Sequence, residues 1–226
     1  MNSITKLCVV AIGLLFNNYV LYCQTTSVGG ALNTLEGRAL FSQKKAIDVQ
    51  SKIEGTPYIN GDEFEKVLVK GYNKNVQDLR YNAYEDEMEF KSEGETYYAN
   101  KAEGLTIEFP KLRKTYKCLD YAYDNKPKFG YLVVLLESSN YSLYKKEKVE
   151  LLKGEKSPNG YTKDANDYFV KDKDLYLIAN SQFSQFYKSP RNIKDAAELF
   201  SFDRKELENF VKSNKINFNK EPDMIK

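Results

Sequence analysis

The chain has 226 residues, 34 Lys and Arg against 32 Asp and Glu, and neither histidine nor tryptophan. A formal net charge of +2 gives no electrostatic reason to expect nucleic acid as a partner. The lack of histidine excludes His-based acid–base catalysis, Ser-His-Asp and Cys-His arrangements, and most zinc sites. The length suits one domain, or one domain with an appendage, and is enough to bury a core without disulfides or metals.

The first 23 residues read as a secretion signal. Lys6 gives the leading segment its positive charge, and "CVVAIGLLF" (8–16) is an apolar core too short to span a bilayer. Cleavage is expected after Cys23, so that the mature chain starts at Gln24. Lipidation of Cys23 is the rival, and bulky Tyr22 just before it counts against that. Residues 24–56 form a leader of uncertain structure. "ALNTLEGRALFSQKKA" (31–46) spaces its apolar residues as a weak helix interrupted by Gly37, and "AIDVQSKIEG" (46–55) alternates as a strand.

From residue 57 to 188 the dominant period is two residues. Strands are expected over 63–71, in "DLRYNA" and "EMEFK", and over 105–109, 112–123, 128–138 and 141–153. Turns fall at "DNKP" and "SSN". "YLVVLLE" is apolar without a break, which places it centrally, covered on both faces. A polar loop spans 154–167, and a hairpin around Asn180 and Ser181 follows. Residues 189–226 change to helical spacing: Ile193, Ala196, Ala197 and Phe200, then Leu207, Phe210, Val211 and Asn214, with Asp203 and Glu206 placed as a cap. Pro222 suits the first turn of a further helix. The fold class is therefore mainly β (α+β), an antiparallel meander sheet with a small C-terminal helical pair packing on it.

Few stretches carry chemistry. "DLRYNAYEDEMEF" (78–90) holds four close carboxylates. A hairpin with a two-residue turn at Glu85 and Asp86 would pair Tyr84 with Glu87, Ala83 with Met88, Asn82 with Glu89 and Tyr81 with Phe90. Leu79, Tyr81, Ala83, Met88 and Phe90 would share the apolar face, and the carboxylates would lie on the wet face and at the tip. The spacing fits no calcium loop, and nothing suggests two acids converging in a cleft. The lysines of "YKKEKVELLKGEK" read as a solvated strand edge. Cys118, on an alternating strand, reads as a buried and inert thiol. "GEKS" (154–157) lacks the glycine spacing of a phosphate loop. No catalytic, cofactor-binding or metal-binding residue is assigned.

"GTPYINGDEF", "LRYNAYEDEMEF", "YSLYKK", "LFSFDRKELENFVKSNKINF" and "EPDMIK" resemble, in order and spacing, an uncharacterised family of exported proteins common in flavobacteria and related Bacteroidota. The resemblance runs from Gly55 to Lys226. Relatives often carry proline near Ser201 or Phe202. The resemblance implies a Gram-negative envelope location, periplasmic or outer-membrane-associated. The family has no established activity, so no catalytic residue follows from it.

The leading expectation is an exported, non-catalytic module that binds another envelope protein, with no transmembrane span and no cofactor. Leu207, Phe210 and Val211 form one route to a partner, as a helix laid in a groove. The same three residues are also expected to pack on the sheet. The alternatives are a His-free periplasmic hydrolase using carboxylates, which requires a deep cleft with two converging acids, and a glycan- or lipid-binding module, which requires a concave pocket or an exposed tyrosine row.

Overall fold

The computed structural model describes residues 41–46, 53–72, 77–124, 126–156, 163–180 and 185–226. The expected secretion signal, residues 31–40 of the weak helical pattern, and residues 47–52 of the strand after it lie outside the described residues.

The protein is mainly β, with antiparallel sheets and a small C-terminal helical pair. The strands are β1 (Phe41–Lys45), β2 (Leu68–Val69), β3 (Leu79–Asn82), β4 (Glu87–Ser92), β5 (Glu95–Ala99), β6 (Thr106–Phe109) and β7 (Lys114–Tyr123). They continue with β8 (Lys126–Glu137), β9 (Tyr141–Lys146), β10 (Val149–Leu152), β11 (Tyr168–Lys171), β12 (Leu175–Asn180) and β13 (Gln185–Lys188). The helices are α1 (Ile193–Phe200), α2 (Arg204–Ser213) and the single turn α3 (Glu221–Met224). One sheet runs β1-β5-β4-β3, a larger one runs β13-β12-β9-β8-β7-β6-β2, and β10 and β11 form a separate ribbon.

Strand alternation builds the core between the two larger sheets. Leu79, Tyr81, Met88, Phe90 and Ala99 of the smaller sheet meet Ile107, Phe109, Tyr116, Cys118, Tyr131 and Val133 of the larger one. Tyrosine rings join the layers, with the Tyr81 and Tyr116 centroids 4.7 Å apart. The far face of the larger sheet buries Tyr121, Leu132, Tyr144, Leu177 and Ala179 in a second cluster. Phe186 of β13 reaches Tyr121 of β7 there, at 5.8 Å between centroids, so the sheet curls on itself. β8 is the fourth of seven strands, and its "YLVV" feeds both clusters, as the unbroken apolar run requires. The hairpin of β12 and β13 pairs Asn180 with Gln185.

Four elements depart from the sequence expectation. Residues 41–45 of the weak helical pattern are strand β1, paired with β5, because a free sheet edge outweighs a weak helical spacing. β5 itself had no predicted counterpart. Of the strand expected over 63–71, only Leu68 and Val69 join a sheet, apart from a bridge between Glu65 and Leu79. The strand expected over 141–153 breaks at Glu147: β9 stays in the large sheet, whereas β10 pairs with β11.

Candidate functional site

Three of the four close carboxylates of 78–90, Asp86, Glu87 and Glu89, are paired with cations rather than free on a wet face or tip. β3 and β4 pair Leu79 with Phe90, Arg80 with Glu89, Tyr81 with Met88, and Asn82 with Glu87. The connection is four residues, 83–86, rather than two. A two-residue hairpin turn favours left-handed backbone at both central positions, which suits Asn-Gly and not Glu-Asp. Here Asn82 builds the longer turn instead: its side-chain oxygen accepts from the N–H of Tyr84 and of Glu85, at 3.1 and 3.0 Å. Asp86 closes the turn in the left-handed region at φ 57°.

The register shifts by two, so the expected apolar face survives, but its opposite face is covered. Glu89 is 1% exposed. Arg80 donates to it through Nη2 at 2.6 Å, Asn82 at 2.7 Å and Tyr58 at 3.1 Å. The segment carrying Tyr58, Asp62 and Phe64 lies over this face: the Arg80 guanidinium sits 3.7 Å from the Tyr58 ring centre and 4.3 Å from that of Phe64. Desolvation, then the Glu89 charge, pushes the Tyr58 phenol well above its usual range.

Asp86 is not an exposed tip either. β8 and β9 run side by side through Val133 and Lys145, and no pairing of β8 with β9 extends toward Lys126 beyond that row. Tyr131 therefore needs other partners on that side. Its N–H donates to Asp86 Oδ1 at 3.3 Å, and its carbonyl accepts from Lys146 Nζ at 3.2 Å. Lys146 and Asp86 form an ion pair, and the Tyr81 hydroxyl donates to the same carboxylate at 2.7 Å. Gly130 makes this possible, because a Cβ there would overlap Asp86 Oδ2. Burial holds the Lys146 ammonium below the usual lysine range despite the Asp86 charge. Lys145, 8% exposed, and Lys146, with a side chain 14% exposed, thus lie inside an interior strand rather than on the expected solvated edge, whereas Lys148, Lys153 and Lys156 are exposed as expected. Glu147, 2% exposed, accepts from the Tyr116 hydroxyl at 2.6 Å and from Lys114 at 2.7 Å.

Asp86 and Lys146 form part of the wall of a cleft of about 960 Å³. It opens at the end of the large sheet where β7, β9 and β13 finish and β8 and β12 begin. Aromatic surface comes from Tyr84, Tyr121, Tyr123, Phe129 and Tyr176. The acids of the wall all have partners. Asp86 pairs with Lys146, Asp172 with Lys148 at 3.5 Å, and Asp174 with Lys171 at 3.3 Å. The Lys173 N–H, foremost, keeps the Asp172 carboxyl low. Lys128, Lys173, Lys188 and Arg191 also line the cleft, and among the described residues none has a carboxylate within ion-pair distance. A neighbouring hollow of about 670 Å³ shares Lys188, Ser189, Pro190 and Arg191.

The tail completes the cleft with Phe218, Asn219 and Met224. Glu221 of α3 anchors it, accepting from Lys145 at 2.8 Å and from the Tyr176 hydroxyl at 2.9 Å. Burial alone would raise the Glu221 pKa, but these two hydrogen bonds outweigh it and hold the carboxyl low. Sequence reading missed Glu221, since nothing local marks it.

The predicted contact residues of α2 lie apart from the cleft lining. Asp203 caps α2 as expected, accepting from the N–H groups of Lys205 and Glu206. Leu207 and Val211 are half-buried, and Phe210 is 47% exposed. α2 packs chiefly on α1 and buries no residue fully. The turn at Ser201, left-handed at φ 55°, folds α2 back on α1. Cys118 is buried, and desolvation pushes its thiol up to about 12. Among the described residues there is no group of three or more metal-ligating side chains, and no helix is long and apolar enough to cross a membrane. No protein-family model significantly matches the chain, and neither does any curated protein or solved structure.

Proposed function

We propose that this is an exported, non-catalytic binding module of the cell envelope whose ligand sits in the cleft at the end of the large sheet. The single observation that carries the reading is the cleft itself: about 960 Å³, walled by tyrosines, Phe129 and charged side chains. Its size and mixed lining suit a small-molecule or short-polymer ligand. The carboxylates in its wall support binding over acid–base chemistry. A general acid needs a carboxyl held high in an apolar pocket, whereas each acid here is ion-paired. Export rests on Lys6 and the apolar 8–16 segment, and a periplasmic or outer-membrane site rests on the resemblance to exported Bacteroidota proteins.

A second reading places an envelope protein on α2. It is favoured by the amphipathic helix that leaves Phe210 47% exposed.

The test is a screen of immobilised envelope glycans, lipids and proteins with the wild-type chain, Ser189→Trp, which fills the junction of the two hollows, and Leu207→Ala/Phe210→Ala. Loss of capture in Ser189→Trp alone supports the cleft. Loss in the α2 variant alone moves the site to the helix. Cleavage of a screened glycan would replace the binding reading with the hydrolase.

A further inference from the structure

The charge of the cleft is unlike that of the whole chain. The full sequence is nearly neutral, at +2 over 226 residues. The cleft wall concentrates Lys128, Lys146, Lys148, Lys173, Lys188 and Arg191 against Asp86, Asp172 and Asp174. Lys146 and Lys148 are already committed to Asp86 and Asp172. The other four cations are exposed and line the cleft, and none of their side chains forms an ion pair among the described residues. Such a concave surface, with an excess of positive charge, attracts anions.

Phe129 lies next to Lys128 in the wall and is 43% exposed, an apolar ring face left open beside the cations. The hollow on the other side of Lys188 and Arg191 carries Asp195 and Glu198. The anionic groups of a ligand therefore belong in the larger cleft.

We propose that the cleft binds a short acidic oligosaccharide. Its carboxylate or sulfate groups would meet Lys128, Lys173, Lys188 and Arg191, and one sugar face would lie on Phe129. The inference rests on the cleft being the binding site, and adds the class of ligand. Two features favour an acidic sugar over a polyphosphate. The three acids of the wall repel the dense charge of adjacent phosphates more than single charges spaced one sugar ring apart. The wall also offers tyrosine hydroxyls and carboxylate acceptors, which suit a ligand rich in hydroxyl donors.

The experiment is calorimetric titration of the full chain with trigalacturonate, a chondroitin sulfate tetrasaccharide and neutral maltotriose, at low and high salt. Lys128→Ala/Arg191→Ala and Phe129→Ala are titrated alongside. All three side chains are exposed, so the variants should keep the wild-type melting temperature. The expected result is that an acidic sugar binds at least about tenfold more tightly than maltotriose, equivalent to about 1.4 kcal/mol. Binding should weaken with salt and fall about tenfold or more in the double-charge variant. Equal affinity for maltotriose, or an unchanged affinity in the charge variant, overturns the acidic-ligand inference. If Phe129→Ala still weakens that binding, the cleft reading stands without it. Failure of both acidic sugars to bind also overturns the inference, and the Ser189→Trp screen then decides separately whether the cleft binds anything.

Discussion

Arg80 and Glu89 are the residues most dependent on each other. Glu89 has a side chain 2% exposed and Arg80 14%, and their closest atoms are 2.6 Å apart. Burying a carboxylate is costly unless charge and hydrogen bonds compensate it. Arg80→Ala removes the only cation paired with Glu89 among the described residues, leaving the Asn82 and Tyr58 donors. Breaking a buried pair from one side costs about 3 kcal/mol or more, so urea unfolding should show a loss of that size. A loss under about 1 kcal/mol, the value of an exposed pair, would mean that this face is open to water after all. The expected hairpin paired Glu89 with Asn82 rather than with Arg80. The burial of Glu89 was not legible, because alternation assigns polar residues to one face without saying what lies over that face. Tyr58 and Phe64 cover it from about twenty residues upstream, and no local pattern announces that.

At the level of elements, the junction of β8, β9 and the 83–86 turn is where the fold is tightest. Asp86 occupies the space that Gly130 leaves open and caps the Tyr131 N–H beyond the last paired row. Gly130→Ala must displace that carboxylate and strain its links to Tyr81 and Lys146. We expect a loss of about 2 kcal/mol, typical of overpacking in a well-packed region. In an Asp86→Ala background the same substitution should cost much less, because the clash is gone. A double-mutant cycle by denaturant unfolding measures this coupling, and simple additivity would refute the seating of Asp86 at Gly130. Nothing in the sequence singles out Gly130 on the strand expected over 128–138. Its purpose appears only when a turn about 45 residues earlier reaches it. The split of "YSLYKKEKVELLK" has the same origin. The periodicity runs on through 141–153, but Glu147 turns inward to Tyr116 and Lys114, and β10 leaves for a different partner.

Across the whole molecule, one ion pair joins the tail to the sheet and shapes the cleft. Glu221 has its pKa lowered and Lys145 has its pKa raised, each by the other's hydrogen bond against the opposing effect of burial. The lowered glutamate adds stability above its unfolded pKa, lost as pH falls through the folded value, below about pH 4. The raised lysine adds stability that is present below its unfolded pKa of about 10 and lost as pH rises through the folded value. The latch is thus intact between those limits. Glu221→Gln should lower the melting temperature at pH 7, and the difference from wild type should vanish in acid. A difference that persists below the wild-type titration would assign the effect to packing of α3. What the sequence alone determined is the local grammar: two-residue alternation for the strands, i, i+3, i+4 spacing for α1 and α2, the Asp203 cap and the central place of "YLVVLLE". These depend on neighbours a few residues apart. The tertiary structure decided which polar faces are covered, where the lysines of β9 go, and that a cationic cleft exists. Each of those brings together charges from distant segments, and a buried charge is defined by what surrounds it in space.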